Sequence, residues 1–169
     1  MSGSDEFKAQ YQADRAKIES SDEGKALFKL LDESKSDINI SEATTLKDDI
    51  LTFFGLEGDS DENNLKSSET TQSAGGDVNL EYSQVEGVEI SGAISESHHT
   101  LNHELNHAKD FVDGTFAEEI TKDYNGKTAR VNGETRAVNS TNRIRKREGK
   151  PQRTEYDFGN GKVIKFNKQ

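Results

Sequence analysis

Apolar residues recur at helical spacing between residues 97 and 114. They fall at positions i, i+4, i+7 and i+11 and are Leu101, Leu105, Ala108 and Val112. Because a helix turns about 100° per residue, these side chains form one narrow stripe that should face the core. Ser95 or Ser97 can cap the start with a hydroxyl. The pattern therefore predicts an amphipathic helix.

A second helix is predicted after residue 130, and Gly149 and Pro151 should end it. Its shared face consists of Val131, Ala137, Val138, Thr141 and Ile144. Glu134 lies in the middle of that face, where a carboxylate needs a partner. We expect this glutamate to cap the helix start, to pair with Arg130 or Arg136, or to bind a metal ion.

The first half of the chain has a weaker pattern. Leucines at positions 27, 30 and 31 favour two helical pieces, interrupted around Gly24. Residues 37–40 alternate as a short strand does, and residues 78–90 predict one or two strands. Residues 48–56 fit either a strand or a buried helical turn. Residues 57–77 are polar and rich in Ser, Gly, Asp and Asn, which predicts a long surface loop.

Near the C-terminus, a GNG sequence between alternating residues predicts a β-hairpin. We therefore expect an α+β fold. In it, the amphipathic helix of residues 97–114 packs on a small, mostly antiparallel sheet. The helix that follows residue 130 lies alongside, and the hairpin closes the chain. We place an N-terminal helical extension at residues 1–23 and the main domain at residues 24–169.

Composition limits the kinds of chemistry available. Hydrophobic residues make up 30% of the chain and charged residues 32%, so the core should be small. The absence of cysteine excludes disulfides, thiolate ligands and cysteine nucleophiles. No apolar run approaches a membrane span or a secretory signal, so any export should use a non-classical route and no membrane partner is expected.

The charge distribution also narrows the partners. Six of the seven arginines lie between residues 130 and 153, yet the net charge of the chain is −10. A polyanion would be repelled beyond the basic patch, so we interpret the patch as a solvated helix face and expect no nucleic acid partner.

All four histidines fall within residues 98–107, and two of them form the motif HELNH. His103 and His107 are one helical turn apart, so both imidazoles can bind one Zn²⁺. Glu104 lies beside them and can take a proton from a metal-activated water, which is the chemistry of H-E-x-x-H peptidases. His98 and His99 are expected in the cleft or at the surface, because His99 is about 12 Å from His107 along the axis.

Two acids compete as the third ligand. Asp113 stands six residues after His107, as in metzincins, but Asp110 occupies the glycine position of that pattern and the only methionine is Met1. Glu134 would instead complete a His-His-Glu site from the second helix. Asn106 and Asp110 can orient the histidines without binding the metal ion themselves, or they can simply lie on the helix surface.

The segments LNHELNHAKDFVDG and GETRAVNSTNRIRKREGKPQRTEY resemble the NleD-like effector metallopeptidases and the related toxin domains of Rhs-repeat proteins. The matching positions are His103, Glu104, His107, Glu134, Ala137, Val138, Asn142, Gly149, Pro151, Arg153 and Tyr156. The resemblance covers residues 24–156 and is strong only in the second half. Residues 57–97 depart from the family in being weakly apolar.

This resemblance implies a zincin-like, zinc-dependent endopeptidase, secreted or translocated into a target cell as an effector or toxin. His103, His107 and Glu134 would bind Zn²⁺, and Glu104 would act as the general base. Tyr156, or alternatively Tyr124, would stabilise the oxyanion. A protein substrate, a monomeric state and a cognate immunity protein are expected. The alternatives are a metal-stabilised protein-binding module and a metal nuclease.

Overall fold

The computed structural model describes residues 1–43, 69–72, 76–84, 87–90, 92–115, 123–124, 127–128, 131–157 and 163–166. Four helices lie in these ranges: α1 (Asp5–Glu19), α2 (Asp22–Asp32), α3 (Ser97–Val112) and α4 (Val131–Arg147). The strands are β1 (Ile38–Glu42), β2 (Glu69–Gln72), β3 (Val78–Tyr82), β4 (Val88–Ile90), β5 (Ala93–Ser95), β6 (Asp123–Tyr124), β7 (Lys127–Thr128), β8 (Glu155–Asp157) and β9 (Val163–Lys165). The α+β class is confirmed.

The two N-terminal helices are confirmed, but the interruption precedes Gly24. Ser21 caps α2 by accepting a hydrogen bond from the backbone N–H of Gly24 over 3.0 Å. A Cβ atom at Gly24 would lie 1.9 Å from the carbonyl oxygen of Ile18, so only glycine fits between the two helices. Phe7 and Ile18 place α1 in the main core. The boundary at residue 23 stays a prediction.

The largest sheet in the described residues has three strands in the order β1-β3-β2. We expected a mostly antiparallel sheet, but this one is mixed: β1 and β3 run parallel, while β2 and β3 run antiparallel. β2 also corrects the prediction of a loop throughout residues 57–77, because residues 69–72 form a strand. Residues 48–56, 57–68 and 73–75 lie outside the described residues.

α3 lies between the sheet and the other helices. Its predicted stripe is confirmed, because Leu101, Leu105 and Ala108 are at most 1% exposed and belong to the main apolar cluster. Sheet residues such as Val78 and Leu80 cover this stripe from the other side. Burying apolar side chains on one face of α3 leaves its other flank for polar groups.

The C-terminal region follows the predicted order. α4 ends before Gly149, which has a φ of 69° and turns the chain back. β8 and β9 pair antiparallel, with Tyr156 opposite Ile164, so the strands of the predicted hairpin are confirmed. Its turn, residues 158–162, lies outside the described residues. None of the described helices combines the length and hydropathy that a membrane crossing requires.

Candidate metal centre

The two histidines of the HELNH motif converge on the flank of α3 that faces α4. Their ring centroids are 4.8 Å apart, and the ring planes are nearly perpendicular. The Nε2 atoms of His103 and His107 are 3.1 Å apart. Two ligands bound tetrahedrally at about 2.1 Å would stand roughly 3.4 Å apart, so this spacing suits a shared metal ion.

Glu134 comes from α4 to the same point. Its Oε2 atom is 3.1 Å from Nε2 of His103, and its Oε1 atom is 3.4 Å from Nε2 of His107. The side chains of all three residues are only 10–14% exposed. They therefore form a compact His-His-Glu group that is nearly closed to solvent.

The contacts within this group match the requirements of a divalent cation. Oε2 of Glu134 is fully buried and has no hydrogen-bond partner, although it lies close to the imidazole of His103. A buried oxygen without a hydrogen bond is costly unless another positive group completes it. Two imidazole nitrogens and one carboxylate are a donor set that zinc prefers. The residues present thus fit a zinc ion.

In the metal-free group, the pKa values of His107 and Glu134 show which proton a bound ion would replace. Burial lowers the pKa of His107, but the charge of Glu134 and its hydrogen bond outweigh this and raise the pKa to about 9. Burial likewise raises the pKa of Glu134, yet the charge of His107 and the closeness of both imidazoles hold that pKa well below its usual range. The metal-free site therefore keeps a proton on His107 beside an ionised carboxylate.

Glu104 lies beside this group, and its carboxylate has a partner from the sheet. The hydroxyl of Thr70 on β2 lies 2.8 Å from Oε2 of Glu104 and 3.1 Å from its backbone oxygen. Both residues are 6% exposed. Burial raises the pKa of Glu104, although the charges of His107 and His103 oppose the shift. The carboxylate of Glu104 is thus fixed by the hydrogen bond from Thr70 and is in a position to exchange a proton.

Asp113, the competing third ligand, and Asp110, the candidate for orienting the histidines, both have other partners. Asp113 forms an ion pair with Lys109 on the exposed end of α3. Asp110 is 2% exposed and accepts two hydrogen bonds from the guanidinium of Arg136, at 3.0 and 2.8 Å. The guanidinium of Arg136 thus pairs with Asp110, and the carboxylate of Glu134 contacts both histidines.

Tyr156 approaches the group from β8. Its ring is parallel to the imidazole of His103, with a centroid separation of 6.3 Å, and the residue is 1% exposed. Burial, then the charge of Glu134, raises the pKa of Tyr156 well above its ordinary value, and its side chain hydrogen-bonds Glu134. The phenol therefore keeps its proton. The side chain of the alternative, Tyr124, lies outside the described part of the chain.

A comparison with known protein families identifies one family that the chain matches. The model of the effector protein family Peptidase_M91 matches residues 1–156. The chain belongs to this family. The predicted resemblance to effector metallopeptidases is thereby confirmed. No curated protein and no solved structure matches the chain.

The Peptidase_M91 chain buries its other two histidines, so the prediction of a cleft or surface position for them is wrong. His98 and His99 are each 1% exposed, and their Nε2 atoms contact the two oxygens of Glu148 at 2.6 and 2.9 Å. We call these three residues the imidazole clamp. It joins the start of α3 to the residue that follows α4.

The imidazole clamp also brings three ligand-type side chains within 4.8 Å. However, Nδ1 of His99 accepts a hydrogen bond from the backbone N–H of Glu96, so Nε2 carries the proton and donates it to Glu148. Nζ of Lys150 lies 3.2 Å from the same carboxylate. A proton and an ammonium group thus occupy the places where a cation would bind.

The cap of α3 differs from our prediction. Glu96 is the N-cap residue and forms a capping box with His99, so neither Ser95 nor Ser97 fills that position. Ser97 instead donates its hydroxyl to the buried carboxylate of Asp14 on α1. A capping box normally places Glu three residues after the cap, and the reversed order here hid the signal.

Sequence reasoning missed several residues of this region. Thr70 lies in a polar stretch without alternation, and Glu148 and Lys150 read as surface charges at a helix end. The basic patch that we interpreted as a solvated helix face includes Arg145 and Arg153, and the interpretation is wrong for both, because they are 1% and 7% exposed. The polar residues beside Arg153, Gln152 and Thr154, gave no signal of its burial.

Proposed function

We propose that this Peptidase_M91 protein is a zinc-dependent endopeptidase with a zincin-like fold, and that it cleaves a protein inside a host cell. The family supports an effector peptidase, and an effector must reach another cell. The single observation that carries the proposal is the convergence of His103, His107 and Glu134 around one point, with Glu104 held beside it.

His103, His107 and Glu134 would hold the ion. When bound there, zinc supplies a Lewis acid that lowers the pKa of a water molecule toward neutrality. Glu104 would accept the proton of the attacking water, and burial suits it to this task because its raised pKa makes it a stronger base. The hydrogen bond from Thr70 keeps one carboxylate oxygen fixed.

Glu104 would then give its proton to the leaving amine, which completes the hydrolysis. The hydroxyl of Tyr156 would donate a hydrogen bond to the carbonyl oxygen of the scissile peptide. It already lies at Glu134 and stays protonated at every physiological pH. Both residues would therefore act on protons: Glu104 would move one through its carboxylate, and Tyr156 would hold one on its hydroxyl.

The substrate would bind along β2. In the described sheet this strand forms one edge, and it carries Thr70 directly to the general base. An extended peptide can add to such an edge through backbone hydrogen bonds. We propose that the protein acts as a monomer and that a cognate immunity protein blocks substrate from reaching the His-His-Glu group.

Replacing Glu104 by Gln tests the catalytic proposal. The variant should keep its zinc, measured by elemental analysis, and lose at least about 100-fold of its casein hydrolysis. Glu89→Gln is the matched control, because this carboxylate is exposed on β4, and it should leave both measurements unchanged. Full hydrolysis by the Glu104 variant would refute the peptidase proposal and favour a non-catalytic binding module.

A second pair of variants tests the ligand set. Glu134→Ala should lose most bound zinc, whereas Asp113→Ala should keep it because Asp113 pairs with Lys109. The opposite result would transfer the third-ligand role to Asp113. Plasmid DNA incubated in parallel tests the nuclease alternative, which the net charge of −10 disfavours.

A further inference from the structure

Arg153 is a buried cation, and two of its three guanidinium nitrogens lack a hydrogen-bond acceptor. The residue is 7% exposed, and its Nε and Nη2 atoms are fully buried without a hydrogen-bond partner. Among the residues that the structure describes, no carboxylate forms an ion pair with it. A buried guanidinium in this condition is unfavourable for stability, because it has lost water without gaining an equivalent partner.

The backbone explains why the side chain stays at this place. Asn142 on α4 accepts a hydrogen bond from the backbone N–H of Arg153 over 2.8 Å and donates one to its carbonyl oxygen over 2.9 Å. This reciprocal pair fixes the chain that leads into β8. Asn142 therefore anchors this backbone without using the guanidinium.

The guanidinium lies against the ring of Tyr156. Its Cζ atom is 5.1 Å from the ring centroid, within the distance at which a cation is attracted to an aromatic ring. The same ring is parallel to the imidazole of His103. A cation and an imidazole thus both constrain the orientation of the phenol.

The surrounding charges favour a role toward the metal centre. A second buried guanidinium, Arg145, has its pKa lowered to about 10 by burial and then by the charge of Arg153, so the two cations repel each other. The charge that attracts Arg153 is that of Glu134, and the guanidinium also lies over the neutral ring of Tyr156. Its favourable contacts are therefore directed at the candidate site.

We propose that Arg153 is a positioning residue that holds the ring of Tyr156, and hence its hydroxyl, in place at the His-His-Glu group. The inference rests on the proposed function, in which Tyr156 donates to the scissile carbonyl. Arg153 acts through the tyrosine, because its guanidinium lies against that ring.

A double-mutant cycle on the zinc-loaded protein tests this role. Tyr156→Phe should lower kcat for peptide hydrolysis by about 100-fold. Arg153→Met should lower kcat by about 10-fold in the wild-type background, with KM and zinc content unchanged. In the Tyr156→Phe background it should change kcat by less than about twofold, because no hydroxyl remains to be positioned. Arg153→Lys should restore part of the loss.

Arg143→Met is the matched control, since this arginine is exposed on the same helix that anchors residue 153. It should leave kcat unchanged in both backgrounds. Equal factors for Arg153→Met in the two backgrounds would overturn the proposal, and so would an unchanged kcat in the wild-type background. Thermal unfolding of each variant separates a folding defect from a kinetic one.

A measurement without substrate keeps the inference independent of the proposed reaction. Fluorotyrosine NMR of the metal-free chain should resolve its four tyrosines, and the Tyr156→Phe variant assigns the signal of Tyr156. That signal should shift or broaden in Arg153→Met and stay in place in Arg143→Met. An unchanged signal would refute the positioning role. If Tyr156→Phe hydrolyses normally while the signal shifts, the role of Tyr156 in catalysis fails and the contact stands.

Discussion

Metal binding at His103, His107 and Glu134 should weaken as the pH falls, because the metal-free site keeps a proton on His107. A zinc ligand must be a neutral imidazole, so the ion has to displace this proton. The pKa of His107 is raised to about 9, since the nearby carboxylate of Glu134 outweighs the effect of burial. The competition between proton and ion therefore covers the physiological range.

The magnitude follows from that pKa. With a pKa of about 9, only about 3% of the His107 imidazole is neutral at pH 7.5, which reduces the apparent zinc affinity by about 30-fold relative to alkaline pH. Each further unit of acidification should cost about tenfold. Glu134 stays ionised throughout, because its pKa is lowered.

Chelator competition at pH 6.5, 7.5 and 8.5 measures the slope of affinity against pH. Calorimetry in buffers of different ionisation enthalpy counts the protons released per ion, and we expect about one from His107 at pH 7.5. Glu134→Gln should bind zinc more weakly but with a shallower slope, since burial alone lowers the pKa of the imidazole. A wild-type affinity that changes by less than about threefold across this range would refute the reasoning.

The same proton affects the stability of the metal-free protein. A raised pKa in the folded state means that the folded chain holds the proton more tightly than the unfolded chain does. The contribution of His107 is therefore complete below the unfolded value of 6.5 and is lost as the pH rises through about 9. Denaturant unfolding of the chelated protein should show lower stability at pH 9.5 than at pH 7.

Two other contacts give separate predictions. Glu148→Gln should lower the free energy of unfolding by about 1–3 kcal/mol at pH 7, because an amide can accept from only one of the two clamp imidazoles. Since hydrogen bonding to those imidazoles outweighs burial and lowers the pKa of Glu148 to about 2, the difference from wild type should shrink as the pH falls below 4.5. Thr70→Val should retain zinc and lower kcat about tenfold by freeing Glu104, whereas Thr70→Ser should restore it; equal rates for the two variants would contradict this.

The spacing of apolar residues was sufficient to predict the helices. The stripe of α3 and the shared face of α4 are repeated within a few residues, so their burial could be read from spacing alone. The spacing of HELNH likewise determined that His103 and His107 would face the same side. Local hydrogen bonding forces these relations, whatever the rest of the chain does.

The strands were harder to predict. β2 has the sequence ETTQ within a polar stretch, and its pairing with β3 depends on backbone hydrogen bonds that any side chain permits. β1 and β3 pair in parallel across about 40 residues, so no turn sequence announces their register. Such non-local pairings leave little trace in composition.

By itself, the sequence determined which residues could bind a metal ion and activate a water molecule. They are two imidazoles one helical turn apart, with a carboxylate between them. Only the tertiary structure decided that Glu134 joins them while Asp113 does not, that Thr70 holds Glu104, and that the other two histidines form the imidazole clamp. The physical reason is distance. Helical spacing fixes neighbours within one turn, whereas contacts between separate elements depend on how α3, α4 and the sheet pack around one core.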